Sequence, residues 1–146
     1  MTRPTDPADL TQQVTAGVEG YWPLDAAVWL LVEDGYWLPE LDRANLIAHS
    51  GFESVSQVMW RLTAVECLRP DDSPLSGTRA QWQILAIACA LTGRHALVLN
   101  SLFTLSDKQH RAVLHAIAWA GMGRDWALAN AAPQPLQDED QEPRQP

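Results

Sequence analysis

Long apolar runs are missing from this chain. The longest, Ile84–Leu91, has eight residues, whereas a helix needs about 20 to cross a bilayer, so no membrane association is expected. The N-terminal stretch M-T-R-P-T-D-P lacks the apolar segment of a signal peptide, and the expected location is the cytoplasm. Lysine is nearly missing too: nine of the ten basic residues are arginine, and Lys108 is the exception. No run of basic residues occurs, and the net charge is -8. Phosphate backbones are bound by Lys and Arg displacing counterions, so this deficit argues against a nucleic-acid partner. The acidity is not only a property of the C-terminal end. Asp138, Glu139, Asp140 and Glu142 against Arg144 account for -3, which leaves -5 elsewhere.

Cysteine is scarce, and its placement excludes further chemistry. Cys67 and Cys89 fall inside predicted helices without metal-ligand spacing, and read as reduced core thiols. Apolar surroundings raise a thiol pKa rather than activating it as a nucleophile. The chain also has no Gly-rich phosphate loop, no H-E-x-x-H, no G-x-S-x-G and no EF-hand loop. No catalytic residue, metal ligand or cofactor-binding residue is therefore assigned, and no cofactor is expected.

What the chain does contain is apolar material in helical arrangements. With 146 residues, 47% hydrophobic and 19% charged, it has the composition of one globular domain with a core of its own. Arg79–Gly93 is the organising stretch. Thr78 and Gln81 form a capping box at its start, and Gly93 is its stop. A helix that is apolar all round must be covered on every side, so the expected fold is all-α, six or seven helices around a buried helix at about 79–92.

The other helices follow from their punctuation. Asp6 caps and Pro7 opens a first helix with Leu10, Val14 and Val18 on one stripe, ending at Gly20. Pro23 opens a second to Asp34, continuously apolar from Ala26 to Val32 and closed by Gly35. A third is expected from Pro39 to about His49, with Gly51 as its stop. A fourth is expected from Ser54 to Arg69, its Val55, Val58, Met59, Leu62 and Val65 facing the core and Pro70 ending it. His95–Thr104 reads as helix rather than strand. Ser106 and Gln109 form a second capping box for a helix with Val113, Leu114, Ile117 and Ala120 inward, and a last turn or two runs from Arg124 to Ala131. The expected organisation is a disordered tail over 1–8, a helical domain over 9–131, and a Pro/Gln-rich acidic tail over 132–146.

The histidines show no chemical set. His110 and His115 are five apart and lie on different helix faces; Asp107 and His110 share a face but lack a third ligand. His49 and His95 stand beside glycines at expected helix ends, where an imidazolium meets the negative end of the helix dipole.

One short echo remains, Gly20-Tyr21-Trp22-Pro23 and Gly35-Tyr36-Trp37-Leu38-Pro39. Tyr and Trp combine a large apolar face with a polar tip, so Tyr21, Trp22, Tyr36 and Trp37 form the candidate interaction surface. The alternative is that each pair seals its own helix junction. Seven tryptophans exceed what one small core readily hides, and the expected function is a non-enzymatic interaction or regulatory module binding another protein or itself. Two alternatives stand beside it. A helix-turn-helix over 41–62 would touch DNA through Glu53, Ser54, Ser56 and Gln57, with Arg61 and Arg69 as its cations. A small helical enzyme would use scattered His and Asp residues.

Ala27–Leu38, Gln83–Leu91 and Leu105–Gln109 with Trp119–Gly121 together resemble a set of small helical proteins encoded in actinobacterial genomes. The resemblance spans about Leu24 to Gly121. It rests on core and cap residues, implies an all-helical fold, and carries over no catalytic or binding residue.

Overall fold

A computed structural model describes residues 6–50, 55–94 and 104–133. Among them lie seven α-helices and a small antiparallel hairpin: α1 (Pro7–Ala16), α2 (Trp22–Asp34), α3 (Trp37–Arg43), β1 (Ile47–His49), β2 (Ser56–Val58), α4 (Trp60–Leu68), α5 (Arg79–Leu91), α6 (Asp107–Met122) and α7 (Arg124–Asn130). The fold is an all-α bundle carrying one two-stranded ribbon. None of the helices among the described residues is long and apolar enough to cross a membrane. Gly51 and the segment 95–103, expected as helix, lie outside the described residues.

Helix starts are set locally. Asp6 accepts from the Ala8 amide at 3.0 Å, and α1 begins at Pro7 as expected. Thr78 and Gln81 close their capping box on α5, and Ser106 and Gln109 close theirs on α6. These side chains satisfy amides that would otherwise have no helical partner.

The centre is shared by α5 and α2. Ile84, Leu85, Ile87, Ala88 and Cys89 of α5 are buried, as are Ala26, Ala27, Val28, Leu30 and Leu31 of α2. α2 packs on α1, α3, α5 and α6 and α5 on α4, while α7 packs on α6 and β2 on α1.

Three expectations are corrected here. The third helix stops at Arg43 rather than near His49, because Asn45 adopts a left-handed φ of 61° and the chain turns into β1. The fourth helix starts at Trp60 rather than Ser54. Ser56–Val58 pairs with Ile47–His49, placing Ile47 opposite Val58 and His49 opposite Ser56. The alternating burial of Ser56, Gln57 and Val58 is a strand period of two. The described residues of 41–62 are thus the end of a helix, two paired strands and the start of another helix, and they do not form the two-helix geometry of a helix-turn-helix.

The third correction concerns direction. α4 buries Trp60, Thr63 and Ala64, with half-buried Cys67 one turn on, while Leu62 and Val65, expected inside, face out. α6 departs in part: Val113 is buried as expected, together with Ala112, His115, Ala116 and Trp119, while Leu114 and Ile117 are exposed. In both helices the inward stripe combines small residues with one tryptophan. Small side chains let helix backbones approach closely, and the indole fills the remaining space.

Candidate functional site

The two Gly-Tyr-Trp junctions share a local shape and have opposite fates. Gly20 and Gly35 both adopt positive φ, 92° and 81°, a region that favours glycine. At the first junction Tyr21 is 60% exposed and Trp22 is also exposed. They diverge at the start of α2. Tyr21 shares a depression with Leu62 of α4, whereas Trp22 lies against Gly123, where an added Cβ would come within 2.9 Å of the indole.

At the second junction Tyr36 is half-buried and Trp37 is wholly buried. Trp37 meets Tyr36 and Trp82 edge-on, with ring centroids 5.0 and 5.2 Å away. Its Nε1 donates to the Gln81 carbonyl at 2.7 Å, and the Tyr36 hydroxyl donates to the Ser76 carbonyl. Trp37 is therefore core and Tyr36 its lid, so the four aromatics do not form one surface. Tyr21 and Trp22 are the two that face solvent.

The exposed apolar surface continues on α4. Leu62 is 54% exposed, Val65 42% and Leu68 68%, following one another along the outer side of the helix. Tyr21 borders Leu62 across a depression of about 340 Å³ that Arg61 and Arg94 also line. Arg69 follows Leu68 at the helix end. A stripe of large apolar groups with cations at its edges is an unusual feature on an acidic chain. Of this stripe the sequence pattern contained Leu62 and Val65, assigned to the opposite side of a longer helix.

His49 is not a helix cap, as the sequence suggested. It lies in β1 with Nε2 2.7 Å from Asp42 Oδ1 and Nδ1 2.8 Å from Ser56 Oγ. Ser56 in turn donates to Gln13 Oε1 at 3.0 Å. A hydroxyl, an imidazole and a carboxylate in hydrogen-bonded series is the arrangement that nucleophilic catalysis uses. Here Ser56 is 1% exposed, closed in between α1 and the hairpin. The chain of bonds instead ties the hairpin to α3 and α1. Sequence reading missed it because its members come from four separate elements.

His115 and His110 make structural contacts. His115 is buried, with Nδ1 2.9 Å from the Ala131 carbonyl, and its ring packs on Trp29 and Trp119. His110 Nδ1 lies 3.1 Å from the Ser106 carbonyl. Among the described residues no three His, Cys, Asp or Glu side chains are grouped to hold a metal ion. Cys67 and Cys89 are free thiols that meet between α4 and α5, and the hydrogen bond to Cys67, reinforced by burial, pushes the Cys89 thiol far up. Glu40 is held below the usual carboxylate range, first by its hydrogen bond from Arg43, with the Ser76 amide adding to it.

Comparison of the chain with protein-family models, with curated proteins and with solved structures finds no match in any of the three.

Proposed function

We propose that this chain is a non-enzymatic protein-binding module of the cytoplasm that docks a partner helix along the outer stripe of α4. The observation that carries the reading is that Leu62, Val65 and Leu68 face solvent on a helix whose other side is buried. Apolar groups at helical spacing are how one amphipathic helix receives another, and exposed aromatics such as Tyr21 are where interface energy concentrates. The arginines at the edges specify the partner's chemistry. Arg61, Arg69 and Arg94 favour a helix with acidic flanks. A second copy is the poorer occupant, since opposing two such stripes sets arginines against arginines.

The test is a comparative pull-down from native cells using wild type, Leu62→Asp, Val65→Asp and, as a control on another face, Leu114→Asp. One partner should be retained by wild type and Leu114→Asp and lost by both α4 variants. A partner retained by all four, or light scattering that shows a stable dimer insensitive to the α4 variants, would end this reading.

A further inference from the structure

A second surface, away from the outer side of α4, has the features of a small-molecule site. α1, α2, α6 and α7 enclose a cleft of about 440 Å³, within the roughly 300–1,000 Å³ usual for such sites. Its apolar wall is Trp29 with Val32, and Trp119 stands beside them. Its polar end carries two carboxylates, Glu19 and Asp25, and one guanidinium, Arg124.

Asp25 is held by the fold, while Glu19 and Arg124 are exposed. Asp25 is in the first turn of α2 and half-buried. Burial pushes its carboxyl above the usual range and Glu19 adds to that, while the Gly20 amide and the Arg124 charge pull it back. Arg124 sits over the Trp119 ring, 5.5 Å from its centroid, an arrangement in which the indole face attracts the cation. Trp119 is nineteen-twentieths buried, and its indole N–H has no acceptor among the described residues.

The charge layout selects the ligand. A simple amine would be drawn to Glu19 and Asp25 but repelled by Arg124, which Trp119 keeps at the rim. A simple carboxylate would meet the reverse. A molecule bearing both charges on neighbouring atoms satisfies all three residues, and an apolar substituent then lies along Trp29 and Val32. We infer that this cleft binds a zwitterionic α-amino acid with an apolar or aromatic side chain: its ammonium toward Asp25 and Glu19, its carboxylate toward Arg124, its side chain on Trp29.

Titration of the full chain, followed by tryptophan fluorescence and calorimetry, tests this with L-leucine, L-isoleucine, L-phenylalanine and L-tryptophan; calorimetry alone serves for tryptophan. Two analogues of leucine complete the set, isopentylamine without the carboxylate and 4-methylpentanoate without the amine. At least one amino acid should bind saturably with one-to-one stoichiometry, and its single-charge analogues at least about tenfold more weakly. Asp25→Asn and Arg124→Gln should each weaken it by about tenfold or more with helical circular dichroism unchanged. If either variant fails to fold, the analogue comparison on wild type still decides. An amine or carboxylate that binds as tightly as its parent overturns the inference. So does the absence of saturation by all four amino acids at about 10 mM, or binding that both variants leave intact.

Discussion

Trp37 and Asp34 show how far a residue's environment can depart from its local sequence. Trp37 follows the same Gly-Tyr pair as Trp22, yet its indole fills a closed pocket beneath Tyr36, Trp82 and the turn at Gly77, where an added Cβ would lie 3.2 Å from the ring. Trp37→Ala should cost about 3–5 kcal/mol in urea unfolding, the range for emptying a core aromatic; a loss under about 1 kcal/mol would return Trp37 to the surface. Asp34 is a different case, a carboxylate at the end of α2 whose Oδ2 is buried without a hydrogen-bond partner. Burial raises its pKa above the ordinary 3.8, against opposing pulls from Gln109 and Lys108. A group whose folded pKa is raised stabilises the fold most below its unfolded value, and that contribution is lost as pH rises through the folded one. Asp34→Asn should therefore remove a loss of stability that sets in as pH rises above about 4 and raise Tm at neutral pH. A lower Tm at neutral pH would show that the Gln109 and Lys108 interactions outweigh burial.

At the scale of elements, two interfaces carry the unexpected parts of the fold. The hairpin seats on α1 through Gly17, where an added Cβ would stand 2.4 Å from the Ser56 carbonyl oxygen. That contact is backbone and cannot yield by a rotamer change. Gly17→Ala should cost about 1–3 kcal/mol, the usual scale of overpacking, and an unchanged unfolding midpoint would mean the hairpin does not rest on α1. α4 offers the second test, because its two faces exchange the roles the sequence assigned. Leu62→Asp on the outer stripe should change stability by no more than about 0.5 kcal/mol. Ala64→Asp on the inner one should cost more than about 3 kcal/mol, since it buries a charge without a partner. Equal effects would remove the basis for treating α4 as a docking helix.

Across the whole molecule, one core cluster runs from Leu10 in α1 to Ala127 in α7, and it includes Trp37, Trp60 and Trp119. A single continuous core predicts one cooperative transition. Far-ultraviolet circular dichroism and tryptophan fluorescence should therefore report coincident urea midpoints. Separated midpoints would show that the hairpin end, with α3 and α4, unfolds apart from the α2–α6 pair.

The sequence by itself determined where most helices begin and what stops them. Asp6, the Thr78–Gln81 and Ser106–Gln109 boxes and Gly35 act on amides and carbonyls within four residues of themselves, so their effect is legible in a short window. It also determined that the chain is helical and that α2 and α5 are too apolar to lie on the surface. Of the four candidate aromatics, Tyr21 and Trp22 face solvent and Trp37 does not. Tertiary structure alone decided the rest. Trp37 is claimed by Gln81, 44 residues away, and Ser56 by Gln13, 43 residues away. In α4 and α6 two stripes of plausible core residues lie on opposite sides. Hydropathy ranks Leu62 and Val65 above Thr63 and Ala64, but the closeness of the neighbouring helix selects the smaller pair, because a close-packed interior rewards fit as well as apolar area.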